Sequence, residues 1–401
     1  MPDTIYVLDL QVTGAELVTV NDDGGVDCIV VEGVYDRPVE ITLGWTQQNG
    51  KAFMAGAMYF GFDGLWHRLL VNGQIEDAAG SNGCDSVFGN EFANRLSGDQ
   101  AATGTGGDDT LHGGSGNDVV SGGAGDDRLF GDDDDDQLSG DDGVDTVIGG
   151  AGSDTVAGGA GADILSGGGS GGDTVAYLAS SAGVQVDLTF GAATSGRGGD
   201  AEGDVLDGFA NVIGSNFADW ISDTIAQDLI EGSNANVFSG NGGADKLYLG
   251  GGNDSGYGGN GNDIVLGQFG DDALFGGSKK DRLTGGFGQD SMSGGTGADR
   301  FIFKSAGESA ADAGQADVIS DFLSPEGDRI DLRAIDADPM LRGNQAFRLI
   351  DTEFHNVAGE LLASQSGADL VVAGDIDGDA VADFVLLILN TASLSAADFV
   401  L

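Results

Sequence analysis

The 401-residue chain is poor in basic residues, proline, cysteine and histidine. Its 16 Lys and Arg residues stand against 66 Asp and Glu residues, which leaves a formal net charge of -50. This imbalance argues against nucleic acid and anionic membrane surfaces as partners and favours divalent cations, because self-repulsion opposes compaction unless cations bind. The histidines, His67, His112 and His355, are too scattered for a zinc site, and no H-E-x-x-H motif occurs.

Long apolar runs are also missing. The longest strongly apolar run, residues 384–389, is far shorter than the roughly 20 residues that span a bilayer. No basic segment opens the chain, so we expect no cleaved signal peptide. An extracellular location would allow a disulfide between Cys28 and Cys84, whereas a composition this low in cysteine favours two unpaired thiols.

Glycine, by contrast, is abundant and periodic, with 74 residues. Residues 113–121 and 122–130 are consecutive copies of a nine-residue unit of the form G-G-x-G-x-D-x-U-x, in which U is apolar. Units in strict register start from 104 to 158 and again from 231 to 294, and two degenerate units occupy residues 80–97. Seven consecutive matches at two positions in the first block exclude composition noise.

The sixth position of the unit is acidic in both blocks. We predict that these side chains bind metal: Asp109, Asp118, Asp127, Asp136, Asp145, Asp154, Asp163, Asp245, Asp254, Asp263, Asp272, Asp290 and Asp299. Asn236 and Asp281 also occupy sixth positions, but Lys279 and Lys280 replace the expected Gly-x before Asp281, so that loop is suspect. The eighth position is apolar in every strict unit except the one containing Gly256.

The unit predicts a turn of six residues followed by a three-residue strand. Only the eighth side chain of such a strand points inward, so successive units should alternate between the two sides of a flattened coil of eighteen residues per turn. Sixth-position carboxylates then stack between adjacent coils beside carbonyls exposed by glycine. An all-oxygen cage of this kind suits Ca²⁺, which takes about 6 to 8 oxygen ligands, better than Mg²⁺.

A metal-free coil is the alternative interpretation of the repeats. Each unit would bury one aliphatic side chain, a gain of about 1.5–3 kcal/mol. Ordering nine residues costs on the order of 1 kcal/mol or more per residue, before carboxylate repulsion is counted. We therefore expect the repeats to be disordered without metal, so that the binding free energy becomes folding free energy.

The repeats resemble those of the RTX proteins, which Gram-negative bacteria export by type I secretion. Residues 301–303, 317–322, 327–332 and 374–384 resemble the C-terminal region of serralysin-type metalloproteases, and residues 398–401 resemble an uncleaved C-terminal export signal. The resemblance covers about residues 80–401. It implies that the type I ABC-transporter apparatus is a partner and that the chain stays unfolded in low-calcium cytosol and folds outside. The serralysin protease domain is absent.

We expect an all-β protein with two calcium-binding parallel β-rolls. The predicted segments are a small N-terminal β domain or cap (1–79), a first roll (80–176), a spacer with a degenerate repeat (177–230), a second roll (231–302) and a β-rich C-terminal cap (303–401). The favoured function is that of a secreted calcium-binding protein with a structural, matrix or adhesion role and a cell-surface or matrix ligand. The alternatives are an export and folding scaffold for an N-terminal ligand-binding domain, or a hydrolase.

Two further motifs are weaker. Residues 168–172 satisfy G-x-S-x-G, but a glycine-rich chain matches this pattern easily and the strand–turn–helix context of a nucleophile elbow is missing. Asp375, Asp377 and Asp379 alternate as in a calcium loop, but Ala380 replaces the glycine of an EF-hand, which favours an acidic hairpin turn.

Overall fold

The structure, a computed structural model, describes the strands within residues 1–79 and then residues 84–99, 106–169, 171–188, 194–223 and 235–401. Side chains are described for residues 79, 84–99, 106–169, 171–188, 196–223 and 235–401. These residues form β-strands and short 3-10 helices, with no α-helix among them. The chain divides into two compact units: Met1–Ser180 with Gly191–Asn211, and Ser181–Phe190 with Val212–Leu401.

The N-terminal part of the first unit contributes strands β1 to β9. Their bounds are β1 Thr4–Asp9, β2 Leu17–Asn21, β3 Asp27–Glu32, β4 Val39–Thr42, β5 Trp45–Gln48, β6 Lys51–Met54, β7 Gly56–Phe62, β8 Leu65–Asn72 and β9 Asp77–Ala79. Apolar, β-prone runs at residues 5–8, 28–31, 39–43, 57–60 and 67–71 predict five of these strands, and they form β1, β3, β4, β7 and β8. β5 and β6 pair with each other in a separate two-stranded ladder.

Strands β10 to β24 follow, along with a 3-10 helix at Gly199–Ala201. Their bounds are β10 Ser86–Phe88, β11 Arg95–Ser97, β12 Thr110–Ser115, β13 Val119–Ala124, β14 Arg128–Asp133, β15 Gln137–Asp142, β16 Thr146–Ala151, β17 Thr155–Ala160, β18 Ile164–Gly168, β19 Thr174–Ala176, β20 Gln185–Leu188, β21 Thr194–Ser195, β22 Val205–Asp207, β23 Asn211–Ile213 and β24 Trp220–Asp223. Of these, β20 and β24 lie within the second unit.

The repeats alternate between two parallel sheets of the first unit, as predicted. One sheet runs β10-β12-β14-β16-β18-β22 and the other β9-β11-β13-β15-β17-β19. Thr110 pairs with Arg128 and Arg128 with Thr146, so adjacent strands of one sheet are eighteen residues apart in sequence. β4 pairs with β10 and β9 with β11, so N-terminal strands continue both sheets.

The second unit repeats this arrangement with strands β25 to β39 and 3-10 helices at Ala306–Glu308, Ser324–Glu326 and Ala396–Asp398. The strand bounds are β25 Val237–Ser239, β26 Lys246–Gly251, β27 Ser255–Gly261, β28 Ile264–Phe269, β29 Ala273–Lys279, β30 Arg282–Phe287, β31 Ser291–Gly297, β32 Arg300–Ile302, β33 Asp317–Ile319, β34 Arg329–Asp331, β35 Arg348–Ile350, β36 Glu360–Ser366, β37 Asp369–Asp375, β38 Phe384–Ile388 and β39 Phe399–Val400. One sheet runs β20-β24-β26-β28-β30-β32-β34-β39. In the other, β25, β27, β29, β31 and β33 pair in parallel in that order. β38 pairs in parallel with β33, and β37 and β36 then follow as antiparallel strands.

The core of each roll is a file of eighth-position side chains between its two sheets. Leu111, Leu129, Val147 and Leu165 are fully buried in one sheet, facing buried side chains such as Val120 of the other. Gly256 breaks this file, and Leu249, which is also fully buried, lies against it and fills the gap. Burial of one apolar residue per unit is therefore the packing rule of both rolls.

Strand length differs from the expectation. Most strands of the regular units cover six residues, from the seventh position of one unit to the third of the next, because the backbone of the first glycines also pairs with the adjacent coil. β18 covers five residues, and β27, β29 and β31 cover seven. The alternating pattern of residues 183–189 predicts a strand, which forms β20, and the apolar stretches 370–373 and 384–389 predict strands that form the antiparallel pair β37 and β38. The five-segment division of the chain stays a prediction.

Two neighbours on β18 provide a matched test of the core. Leu165 is 0% exposed and Ile164 is 54% exposed. In the calcium-saturated chain, Leu165→Ala should lower the free energy of unfolding by about 2–5 kcal/mol, because it opens a cavity, and Ile164→Ala should change it by less than about 1 kcal/mol. Denaturant unfolding followed by circular dichroism measures both, and equal losses would contradict the predicted packing.

Candidate metal centre

The predicted sixth-position aspartates all lie directly before a strand and are buried. Their exposed fractions do not exceed 3%, which is unusual for a carboxylate. The following residue begins the strand and the residue after that enters the core, so the backbone fixes where each carboxylate lies. The structure therefore arranges the predicted residues in rows along the edges of the rolls.

Each row is held by one oxygen of every carboxylate. The backbone N–H of Asp109 donates to Oδ1 of Asp127 at 2.7 Å, Asp127 donates in the same way to Asp145 at 2.8 Å, and Asp145 to Asp163 at 2.9 Å. The other edge repeats the pattern from Asp118 to Asp136 at 2.8 Å. The second unit has the same rows, for instance from Asp245 to Asp263 at 2.8 Å. We call these rows the carboxylate ladders.

The second oxygen, Oδ2, of most of these carboxylates lacks a hydrogen-bonding partner among the described residues. Oδ2 is buried and has no hydrogen-bonding partner among the described residues at the following positions: Asp109, Asp118, Asp127, Asp136, Asp145, Asp154, Asp163, Asp245, Asp263, Asp272, Asp290 and Asp299. A buried carboxylate oxygen without a donor is costly. Its recurrence in every coil indicates a missing positive ligand rather than a local defect.

Backbone carbonyls face the same space. A methyl group on the first glycine of a unit, Gly122, would clash with Oδ2 of Asp127 and with the carbonyl oxygen of Gly140 in the next coil. The glycine at the fourth position of this unit, Gly125, has a φ of 138°, which a residue with a side chain rarely adopts. The glycines thus keep open a small cradle lined by carboxylate and carbonyl oxygens, the ligand chemistry that Ca²⁺ prefers.

Burial raises the pKa of these carboxylates, since it penalises the charged form. The pKa of Asp109 is raised to about 9, that of Asp272 to about 8 and that of Asp145 to about 7. Neighbouring carboxylates add to the rise, for instance Asp127 and Asp163 around Asp145. Without a cation, the most strongly shifted of these groups, Asp109 and Asp272, would hold protons at neutral pH.

Asp281, whose loop the sequence made suspect, has the same geometry as its neighbours. It accepts the N–H of Asp263 at 2.8 Å, and its Oδ2 lacks a partner within the described part of the chain. Lys279 takes the glycine position with a φ of 87°, and its side chain is exposed. Its charge lowers the pKa of Asp263 and Asp281, but burial has the larger effect and raises the pKa of both. The loop is therefore formed, at the cost of a strained lysine backbone.

Several ladder members lie outside the strict nine-residue register and were missed by sequence reasoning. Asp173, Asp204, Asp219, Asp317 and Asp328 each accept the backbone N–H of a ladder residue or its equivalent through Oδ1. Each is followed by one residue and then by a buried apolar side chain, as in Asp328-Arg329-Ile330. That D-x-apolar triplet is the signal that would have found them.

The other polar candidates form no second centre among the described residues. His112 lies between the rings of Phe88 and Phe130 and contacts Asp132 at 3.1 Å. Asp132 to Asp135 are exposed, while Asp136 is buried. Cys84 is a free, exposed thiol. The side chains of Cys28, His67 and Ser170 lie outside the described residues.

The acidic stretch after β37 forms a hairpin turn to β38. Asp375, Asp377 and Asp383 bring one carboxylate oxygen each within 4.8 Å of one another. Both oxygens of Asp375 accept backbone N–H groups, from Gly378 at 2.7 Å and Ala380 at 3.0 Å. The turn therefore satisfies its buried carboxylate with its own backbone, unlike the ladders.

Comparison with known proteins matches both parts of the chain. The profile of the RTX calcium-binding nonapeptide repeat matches residues 103–138 and 139–175, and that of the peptidase M10 serralysin C terminal matches residues 216–401. Neither match includes a protease domain. No curated protein matches the chain.

Two solved structures are similar to parts of the chain. The AlgE6R2 subunit from the Azotobacter vinelandii mannuronan C5-epimerase is 25% identical, with a TM-score of 0.23, over 46% of this chain and 89% of that one. The AlgE6R3 subunit from the same epimerase is 25% identical, with a TM-score of 0.20, over 47% of this chain and 80% of that one.

The chain therefore carries RTX calcium-binding repeats and a serralysin-type C-terminal region. Its repeats are calcium-binding, and the two matches together indicate a protein secreted by the type I route to the cell exterior. In the described residues, no helix is long and apolar enough to cross a membrane.

The raised pKa values predict how a calcium-free chain responds to pH. The carboxylates titrate near 3.8 when unfolded, whereas burial in the fold raises the pKa of Asp127 to about 6 and that of Asp109 to about 9. Protons therefore stabilise the metal-free fold at pH 4, and this contribution is lost as pH rises towards 9. Circular dichroism of the calcium-free chain should show more β signal at pH 5 than at pH 8.5. An equal signal at both pH values would contradict the prediction.

Proposed function

We propose that this chain is a secreted RTX protein whose rolls fold on binding calcium outside the cell and which acts without catalysis, in a structural, matrix or adhesion role. The observation that carries the proposal is the row of buried Oδ2 atoms without partners in both units. The ligands are the predicted aspartates: Asp109, Asp118, Asp127, Asp136, Asp145, Asp154, Asp163, Asp245, Asp254, Asp263, Asp272, Asp290 and Asp299.

Calcium supplies the positive charge that this fold lacks. The carboxylates and the glycine carbonyls of adjacent coils would hold the ion, which neutralises repulsion between coils. A cage built from two coils does not exist in an unfolded chain, so ion binding and folding are one equilibrium. Export as an unfolded chain and folding in calcium-rich surroundings follow from that coupling, with residues 398–401 proposed as part of an uncleaved export signal.

A non-enzymatic role is supported by the polar contacts of the described residues. Within the described residues, the ring nitrogens of His112 and His355 contact Asp132 and Glu360, and neither histidine bonds a Ser or Cys nucleophile. A nucleophile needs a base within hydrogen-bond reach. The proposal for the whole chain therefore rests on binding rather than turnover.

The outward face of the second roll supports a surface-binding role. Tyr257 and Phe275 stack with ring centroids 4.8 Å apart, on neighbouring strands, and are 41% and 39% exposed. Exposed stacked aromatics provide apolar contact area in a chain whose charge otherwise repels anionic partners. We assign this face to contact with cell-surface or matrix material.

Calcium titration of the full chain tests the folding part of the proposal. Far-UV circular dichroism and small-angle scattering should show a cooperative rise in β signal with compaction in calcium but not in magnesium. Asp145→Asn should shift the transition to higher calcium, because a buried Oδ2 is lost. Asp142→Asn, an exposed aspartate of the same turn, makes the same charge change and should leave the transition unchanged. A chain that is already compact at neutral pH without calcium would overturn the proposal.

Pelleting of the labelled, calcium-loaded chain with bacterial cells and their matrix tests the role. We expect retention in calcium, release by chelator, and at least a tenfold loss of affinity, or about 1.4 kcal/mol, for the double variant Tyr257→Ser/Phe275→Ser. The control is Phe269→Ser/Phe287→Ser, a second exposed stacked pair with centroids 5.6 Å apart at the turns. Retention unaffected by the first variant, or turnover in a hydrolase panel, would contradict the role.

A further inference from the structure

The ladders of the first roll end differently on their two edges. Beyond the regular units, Asp154 donates its N–H to Oδ1 of Asp173 at 2.9 Å, and Asp163 donates to Oδ1 of Asp204 at 2.9 Å. Asp173 and Asp204 are both 0% exposed and both precede a strand, β19 and β22 respectively. Asp173 and Asp204 are therefore equivalent in their burial, in their position before a strand and in the contact of Oδ1.

The second oxygens are not equivalent. Oδ2 of Asp173 has no hydrogen-bonding partner within the described residues, and a methyl group on Gly167 would clash with it and with the carbonyl oxygen of Gly208. This is the open cradle of the regular units. Oδ2 of Asp204 instead accepts the Tyr177 hydroxyl at 2.9 Å, and Tyr177 is only 2% exposed.

Several carbonyls of the turn before Asp204 already accept backbone hydrogen bonds. In place of a glycine loop it is a 3-10 helix at Gly199–Ala201. The carbonyl of Gly198 accepts the N–H of Ala201 at 3.0 Å, and the carbonyl of Asp204 accepts the N–H of Gly196 at 3.0 Å. Oxygens that already accept backbone hydrogen bonds are poorly placed to complete a cage of about 6 to 8 ligands.

A neutral hydroxyl can replace the cation at one carboxylate oxygen, because it supplies the donor that a buried carboxylate needs. Burial and the charge of Asp204 raise the pKa of the Tyr177 hydroxyl well above its usual value, so it stays protonated and donates. The second roll shows the same contrast: Oδ2 of Asp317 lacks a partner within the described region, while Oδ2 of Asp328 accepts the N–H of Leu323 at 2.8 Å.

We infer that the first roll ends asymmetrically: Asp173 is a further calcium ligand, whereas the Tyr177 hydroxyl takes the place of the ion at Asp204 and closes that edge. Tyr177 and Asp204 lie between the two family matches, which end at residue 175 and resume at residue 216, so neither match assigns them. The inference rests on the proposed ligation of calcium by the repeats. One edge of the roll then ends in the hydrogen bond between Tyr177 and Asp204, which does not depend on calcium.

Ion counting on the full calcium-saturated chain tests this inference. Asp173→Asn and Asp204→Asn are a matched pair, because each keeps an acceptor for the preceding N–H and removes one negative charge. After gel filtration, elemental analysis should find one calcium fewer in Asp173→Asn than in the parent chain and the same number in Asp204→Asn. Circular dichroism verifies that both variants retain the β signal.

The interior variant Asp145→Asn separates the two levels of the argument. If it loses calcium while Asp173→Asn does not, or if Asp204→Asn also loses an ion, the asymmetric end is wrong and the proposed function stands. If Asp145→Asn retains every ion, the proposed ligation itself fails.

Tyr177→Phe tests the closing contact directly. Removing the hydroxyl leaves Oδ2 of Asp204 buried without a donor, so we expect a lower melting temperature that further calcium does not restore. The calcium-saturated parent chain, titrated over the same range, is the control. A melting temperature equal to that of the parent would overturn the role of Tyr177, because it would show that the hydrogen bond of its hydroxyl does not stabilise the fold.

Discussion

The cost of burying rows of carboxylates is the constraint on which the rest of this structure depends. Each coil adds one aspartate to each carboxylate ladder, and the backbone places it beneath the previous one. Its Oδ1 accepts a backbone N–H, and its Oδ2 faces a cradle of carbonyl oxygens. The pKa of these groups rises because burial penalises their charge. Under the proposed ligation, calcium would offset that penalty, so that ion binding and coil formation would depend on each other.

The small core explains why the ions are needed. Each unit buries a single apolar side chain, as at Leu129 or Val265, between two sheets built mainly from six-residue strands. Such a core cannot offset the ordering of nine residues, several of them glycine. Under the proposed function, such a chain would fold where calcium is abundant and stay unfolded where it is scarce, which would suit secretion by the type I route.

The ends of the ladders show how a repetitive fold stops. Where the glycine loop is lost, the chain satisfies the last carboxylate with its own donors, as Tyr177 does for Asp204 and the Leu323 N–H does for Asp328. The acidic hairpin turn solves the same problem at Asp375 with two backbone N–H groups. Under the proposed ligation, protein donors and calcium would be alternative ways to satisfy a buried carboxylate, depending on whether the turn leaves carbonyls free.

The nine-residue period by itself determined the fold class, the alternation between two sheets, the apolar file and the burial of the predicted aspartates, because strand geometry and glycine spacing are local properties. It could not decide the strand length, which depends on pairing with the next coil, or show that the loop of Asp281 forms despite Lys279. Only the tertiary structure joined Asp163 to Asp204, which are 41 residues apart, and brought Tyr177 to it. Such contacts depend on where a returning segment docks, and no local pattern in the sequence encodes that position.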